Sequence, residues 1–144
     1  PKNSDDLRFF TKKKHLPEIR KWFYSGKNRE IGVWREFCEE LIESEILPND
    51  AFRTIKPEFV KSHEASLIKR KGINETQFLI YNIFCIHLSD EQEEALVTLN
   101  NSTPMTEKYV FVNEVELDKE LFIRNEKEYQ LGYHARYLNN NSPC

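Results

Sequence analysis

No stretch of this sequence approaches the roughly 18 consecutive apolar residues that a membrane-crossing helix needs, so an α-helical span is not expected. Cysteine is scarce: Cys38, Cys85 and Cys144 are odd in number and widely separated. Such a set makes no disulfide framework, and without a Cys-x-x-Cys or paired Cys/His spacing it makes no zinc site. Cys38 and Cys85 stand in apolar stretches, so buried thiols in a reducing cytosol are expected. The opening Pro1-Lys2-Asn3-Ser4-Asp5-Asp6 lacks the apolar centre of a secretory signal. An excess of one charge is missing too. A formal net charge of −3 exerts no overall pull on nucleic acid. A Walker loop, a serine nucleophile elbow, an internal repeat and a recognisable nucleic-acid motif are also absent. These absences point to a cytoplasmic protein with neither membrane nor nucleic acid as its partner.

What is present is enough for a folded globule. The 144 residues are 39% hydrophobic and 12% aromatic, which fits a single domain over residues 1–138 followed by a disordered tail over 139–144. The chain is organised around Trp34-Arg35-Glu36-Phe37-Cys38-Glu39-Glu40-Leu41. Trp34, Phe37, Cys38 and Leu41 recur at three- and four-residue spacing, the pattern of a buried helix face. Glu36, Glu39 and Glu40 stand at i, i+3 and i+4, so their carboxylates converge on another face. Three carboxylates that close repel unless a positive charge lies among them. A hard divalent cation (Mg²⁺ or Mn²⁺) and Arg35 are the two candidates, and a plainly solvated acidic face is the third reading.

Elsewhere the pattern is read in order. Residues 7–14 are expected as a strand that ends in Lys12-Lys13-Lys14. Ser25-Gly26-Lys27-Asn28-Arg29-Glu30 has turn chemistry, with Gly26 free to take a positive φ. The central helix is expected over residues 33–45, stopped by Pro48. Residues 51–55 suit a short strand, while 57–71 fit helix or strand equally. Residues 77–88 are aromatic and β-branched, apolar on both faces, and read as a central strand with Asn82 and His87 as its polar exceptions. Ser89-Asp90-Glu91-Gln92 is a capping-box signature for a helix running through Leu99. Residues 109–112 read as a strand, followed by Glu114 and Glu116. Residues 126–138 read as a closing helix that carries Tyr129, Tyr133 and Tyr137.

Arg35-Glu36-Phe37-Cys38-Glu39-Glu40 resembles the box helix of the Nudix hydrolases, Arg-Glu-apolar-x-Glu-Glu. Upstream, Phe9-Phe10-Thr11-Lys12-Lys13 is similar to the family's apolar-apolar-Thr-basic-basic strand. Trp22-Phe23-Tyr24-Ser25-Gly26 is similar to its Trp-x-x-Pro-Gly loop entry. The sequence departs from the pattern in three places. The loop before the helix is about six residues short, its internal Glu is absent or displaced to Glu30, and Ile42 stands where the family has glycine. The resemblance implies an α/β fold, a Nudix-type α/β/α sandwich with a mixed central sheet between the box helix and the closing helix. It implies metal-dependent attack of water on a diphosphate linkage in a nucleoside diphosphate derivative. Glu36, Glu39 and Glu40 would hold Mg²⁺ or Mn²⁺, and Arg35 would fix a neighbouring carboxylate. Gly26 and Lys27 would be the ligand-binding positions of the loop. Glu114 or Glu116 would add a further carboxylate. The shortened loop supports an alternative, a catalytically impaired module that binds a nucleotide-like small molecule or a protein partner. Chance resemblance, with a plain α/β domain, is the remaining reading.

Overall fold

The computed structural model describes residues 9–27, 32–69 and 76–138. The chain divides into two compact units, Pro1–Val33 and Trp34–Cys144. The expected tail over 139–144 lies outside the described residues.

In the first unit a 3-10 turn, Lys13–His15, leads into helix α1, Leu16–Ser25. Pro17 sits in the first turn, where its missing N–H would have had no helical partner. Leu16, Ile19, Trp22 and Phe23 form the half-buried face. Gly26 ends the helix in the left-handed region at φ 64°, and its N–H bonds to the Phe23 carbonyl at 3.3 Å. The edge of one ring meets the face of the other where Phe9 packs on Trp22, 6.3 Å between centroids. The strand expected over residues 7–14 is therefore not formed across its described part. Lys12 accepts from His15 N–H at 2.9 Å, so the lysine run closes a helical turn instead of pairing with another strand. Residues 7 and 8 lie outside the described set.

The second unit opens at Trp34, within the central helix α2, Val33–Phe37, which continues as a π-helical turn over Cys38–Ile42. A loop then carries Leu47 and Phe52 into the core with Ala65, Cys85 and Phe122. Phe52 is 1% exposed, and its ring centroid lies 5.9 Å from that of Phe37, which anchors the helix. Residues 51–55 are turns and bends, not the short strand expected, because Phe52 N–H is taken by the Pro48 carbonyl.

Strands β1, Lys56–Lys69, and β2, Thr76–His87, pair antiparallel with register shifts at Phe59/Lys61 and Ala65/Ile68. The ambiguous residues 57–71 are thus strand over most of their length. β2 lies where expected but has one neighbour among the described residues, so it is half of a ribbon and not a central strand. Ser62 Oγ donates to Asn82 Oδ1 at 2.7 Å, which satisfies the amide oxygen in mid-strand. Cys38 is a free thiol, while Cys85 is disulfide-bonded, so the expectation of buried free thiols fails at Cys85.

Helix α3, Asp90–Ser102, starts at the capping box read from the sequence, with Ser89 and Gln92 bonding each other's backbone. Gln92 does more. It is 7% exposed, and its Nε2 donates to the Ala51 and Thr54 carbonyls at 3.2 and 2.8 Å, which ties the helix start to the Phe52 loop. Residues 109–112 form only a single bridge, Met105 to Val110. Helix α4, Glu114–Lys119, follows, capped by Asn113.

The closing helix expected over 126–138 is replaced by a hairpin and a 3-10 turn. Strands β3, Leu121–Arg124, and β4, Lys127–Gln130, pair antiparallel around Asn125-Glu126. Both turn residues have positive φ, 51° and 63°, the geometry of a tight two-residue hairpin. Phe122 stacks on Tyr129 across the strands at 5.0 Å. The 3-10 turn Tyr133–Leu138 places Tyr137 against His63 and Tyr81 of the ribbon. The chain is mixed α/β, and among the described residues its sheets are two antiparallel pairs. A single mixed central sheet is not seen there. Among the described residues no helix is long and apolar enough to cross a membrane.

Two substitutions test this account. Gln92→Leu strands two carbonyls and an amide, so chemical denaturation should show a loss of about 2–3 kcal/mol. Glu126→Gly relieves a left-handed side chain, and the same assay should show a gain of about 0.5–1 kcal/mol.

Candidate functional site

The acidic helix ends in a widened turn that includes Ile42. A left-handed residue after a helix lets the chain turn away, and glycine adopts that conformation most readily. Ile42 is β-branched and does not suit it. The chain instead winds on: Glu43 N–H reaches the Cys38 carbonyl at 2.8 Å, a five-residue step, and the left-handed conformation falls on Glu45 at φ 58°. Ile46 and Leu47 N–H groups both bond to the Leu41 carbonyl, at 3.0 and 2.8 Å, and close the end. Single π turns of this kind are rare and recur at functional sites.

Arg35 organises the carboxylates. Its Nη1 donates to both oxygens of Glu39, at 2.7 and 2.8 Å, and its Nη2 donates to Glu36 Oε1 at 2.6 Å. The Arg35 side chain is 31% exposed, Glu39 34% and Glu36 51%. This is a half-buried network with three short, charge-assisted bonds. Arg35 is thus paired with two neighbouring carboxylates of its own helix. Glu40 is exposed and lines an open depression of about 490 Å³ together with Glu39, Ser44, Ile46 and Lys108. Lys108 was not singled out in the sequence; its Nζ donates to the Ser44 carbonyl at 3.0 Å. A contact 64 residues apart leaves no local spacing by which to find it.

The structure thus joins Glu36 to Glu39 through Arg35 and sets Glu40 at the rim of a depression. Among the described residues no group of three or more His, Cys, Asp or Glu side chains is placed to hold a metal ion. The donor set in this arrangement does not fit a divalent cation, because both oxygens of Glu39 and Oε1 of Glu36 face a guanidinium. Burial pushes the Cys38 thiol up, and the nearby Glu43 and Glu39 charges add to it, so it is a weak nucleophile.

The remaining expected positions lie elsewhere. Gly26 is the C-cap of α1, and Lys27, exposed, donates its backbone N–H to Ser25 Oγ at 3.3 Å. Both belong to the first unit, and Glu30 lies outside the described residues. Glu116 is held by Arg124 at 2.6 and 3.2 Å while its side chain caps the Asn113 backbone. Arg124 also donates to the Phe111 carbonyl at 2.7 Å, so Glu116 serves the scaffold. Glu114 is exposed at the start of the same helix. His87 pairs with Glu58 at 2.6 Å between two exposed side chains.

Comparison with known proteins adds a family. The family model described as SMODS-associated NUDIX domain matches residues 1–139. No curated protein and no solved structure matches the chain.

Hydrogen bonds from Arg124, then from the Asn113 backbone, hold the Glu116 carboxyl below the usual carboxylate range. A depressed folded-state pKa contributes stability above the ordinary pKa of about 4.3, and loses it as pH falls through the folded value. Acid unfolding followed by circular dichroism should therefore show a shallower stability loss below that pH in Glu116→Gln than in the wild type.

Proposed function

We propose, for a chain that belongs to the family of SMODS-associated NUDIX domains, that it is a Nudix-type module which holds a nucleotide-like, phosphorylated ligand without turning it over rapidly. One observation carries this reading: Arg35 takes up both oxygens of Glu39 and one of Glu36, carboxylates that metal-assisted hydrolysis would need. In a Nudix hydrolase the divalent ion neutralises phosphate charge and activates water. Here the guanidinium neutralises the helix itself. A partly neutralised acidic face repels a phosphorylated ligand less than three bare carboxylates would. Lys108 adds a cation at the depression rimmed by Glu40. Gly26 and Lys27 remain candidate ligand-binding positions of the first unit in their own right, and the family's layered sandwich remains the expected frame.

Hydrolysis stands as the second reading, supported by the retained order Arg35-Glu36-Phe37-Cys38-Glu39-Glu40 and by the exposure of Glu40. It requires Mg²⁺ or Mn²⁺ to gain Glu36 and Glu39 from Arg35.

A panel of nucleoside triphosphates, nucleoside diphosphate sugars and dinucleoside polyphosphates separates the two. Each compound is added with and without Mg²⁺ or Mn²⁺, and both melting temperature and product formation are followed. A ligand at about 100 times its Kd should stabilise the fold by about 2.7 kcal/mol with no product released. Multiple turnovers of any compound would sink the binding reading.

A further inference from the structure

We infer that Arg35 is the resident counter-ion of the acidic helix and stands in for a divalent cation, so that this unit keeps its site assembled without metal. The inference rests on the binding reading above and deepens it. The guanidinium is planar with five donors in a fixed fork, so one side chain bonds two carboxylates at once. It does so here with Nη1 on both Glu39 oxygens and Nη2 on Glu36. A lysine at the same position carries one point charge and bridges far less well.

Three features favour the arginine over an ion from solution. Arg35 and Glu39 lie four residues apart, neighbours on the helix surface, so the pair forms without recruiting a second molecule. The pairing is intramolecular, and its effective concentration exceeds that of a free cation at ordinary levels. A divalent ion placed on the same oxygens would meet the guanidinium as a like charge. Binding metal on these three oxygens therefore requires the arginine to leave. The third carboxylate, Glu40, lines the depression together with Glu39 and Lys108, which supplies a second resident cation there.

The test uses the full chain, purified in chelator and melted with EDTA, Mg²⁺ or Mn²⁺. The wild type is expected to melt at the same temperature in all three. Arg35→Gln leaves the carboxylates uncovered and should melt about 3–6 °C lower in EDTA. Mg²⁺ or Mn²⁺ should restore most of that shift, and adding Glu39→Gln to the variant should abolish the restoration. Binding of Mn²⁺, followed by electron paramagnetic resonance, should appear in Arg35→Gln and not in the wild type. A wild type that binds Mn²⁺ or gains stability from it would overturn the inference, and so would an Arg35→Gln protein indifferent to metal. If Arg35→Gln fails to fold, Arg35→Lys takes its place: a partial metal response supports the inference, and none overturns it. Failure of the binding reading looks different, since it appears as product in the nucleotide panel whatever the metal titration gives.

Discussion

Like charges on adjacent helical turns must be neutralised, moved apart or left in water, and the acidic helix uses all three. Glu36 and Glu39 share one guanidinium, and Glu40 stands at the rim of an open depression. Neutralisation from within the helix is the economical solution, because Arg35 needs no partner from a distant part of the chain. It also fixes the side chains. A carboxylate that accepts two short bonds from one nitrogen has lost most of its freedom to reorient toward another cation.

The frame around that helix relies on polar ties as much as on apolar packing. The buried hydrophobic set is small: Leu47, Phe52, Ala65, Cys85 and Phe122. Phe52 packs against Phe37, so the loop after the helix anchors the helix, and Gln92 in turn anchors that loop from the start of α3. Arg124 performs the same service in the last part of the unit, joining α4, β3 and the Phe111 carbonyl through one side chain. Each tie satisfies backbone carbonyls through a side chain from another element. This explains why single polar residues matter more here than their number suggests.

Legibility in the sequence followed the range of the signal. The capping box at Ser89 and Gln92 is a four-residue pattern with its own local chemistry, and it was readable. The central helix and the β2 strand were readable from periodicity and composition. Residues 121–130 were not, because Glu126 is an unusual occupant of a left-handed turn position and Glu-Lys-Glu-Tyr reads as helix. Residues 7–14 misled in the other direction: alternation suggested a strand, but nothing in the sequence reveals whether a strand will find a neighbour. The box residues were legible as a set. The choice between metal and Arg35 as their counter-charge was not, since both fit the same spacing and only atomic geometry separates them.

The departure at Ile42 connects these observations. Where glycine would let the chain leave the helix at once, a β-branched residue keeps it winding, and the turn widens to a five-residue step before Glu45 takes the left-handed conformation. A wider turn changes the angular step between residues from Cys38 onward. The Arg35–Glu39 pair keeps its bonds across the junction, and Glu39 and Glu40 both line the depression. Family membership supplies the scaffold, but the side chains on it decide the chemistry. The widened turn thus carries Glu39 and Glu40 to the depression that Lys108 lines, while Arg35 bonds Glu36 and Glu39 at the helix start.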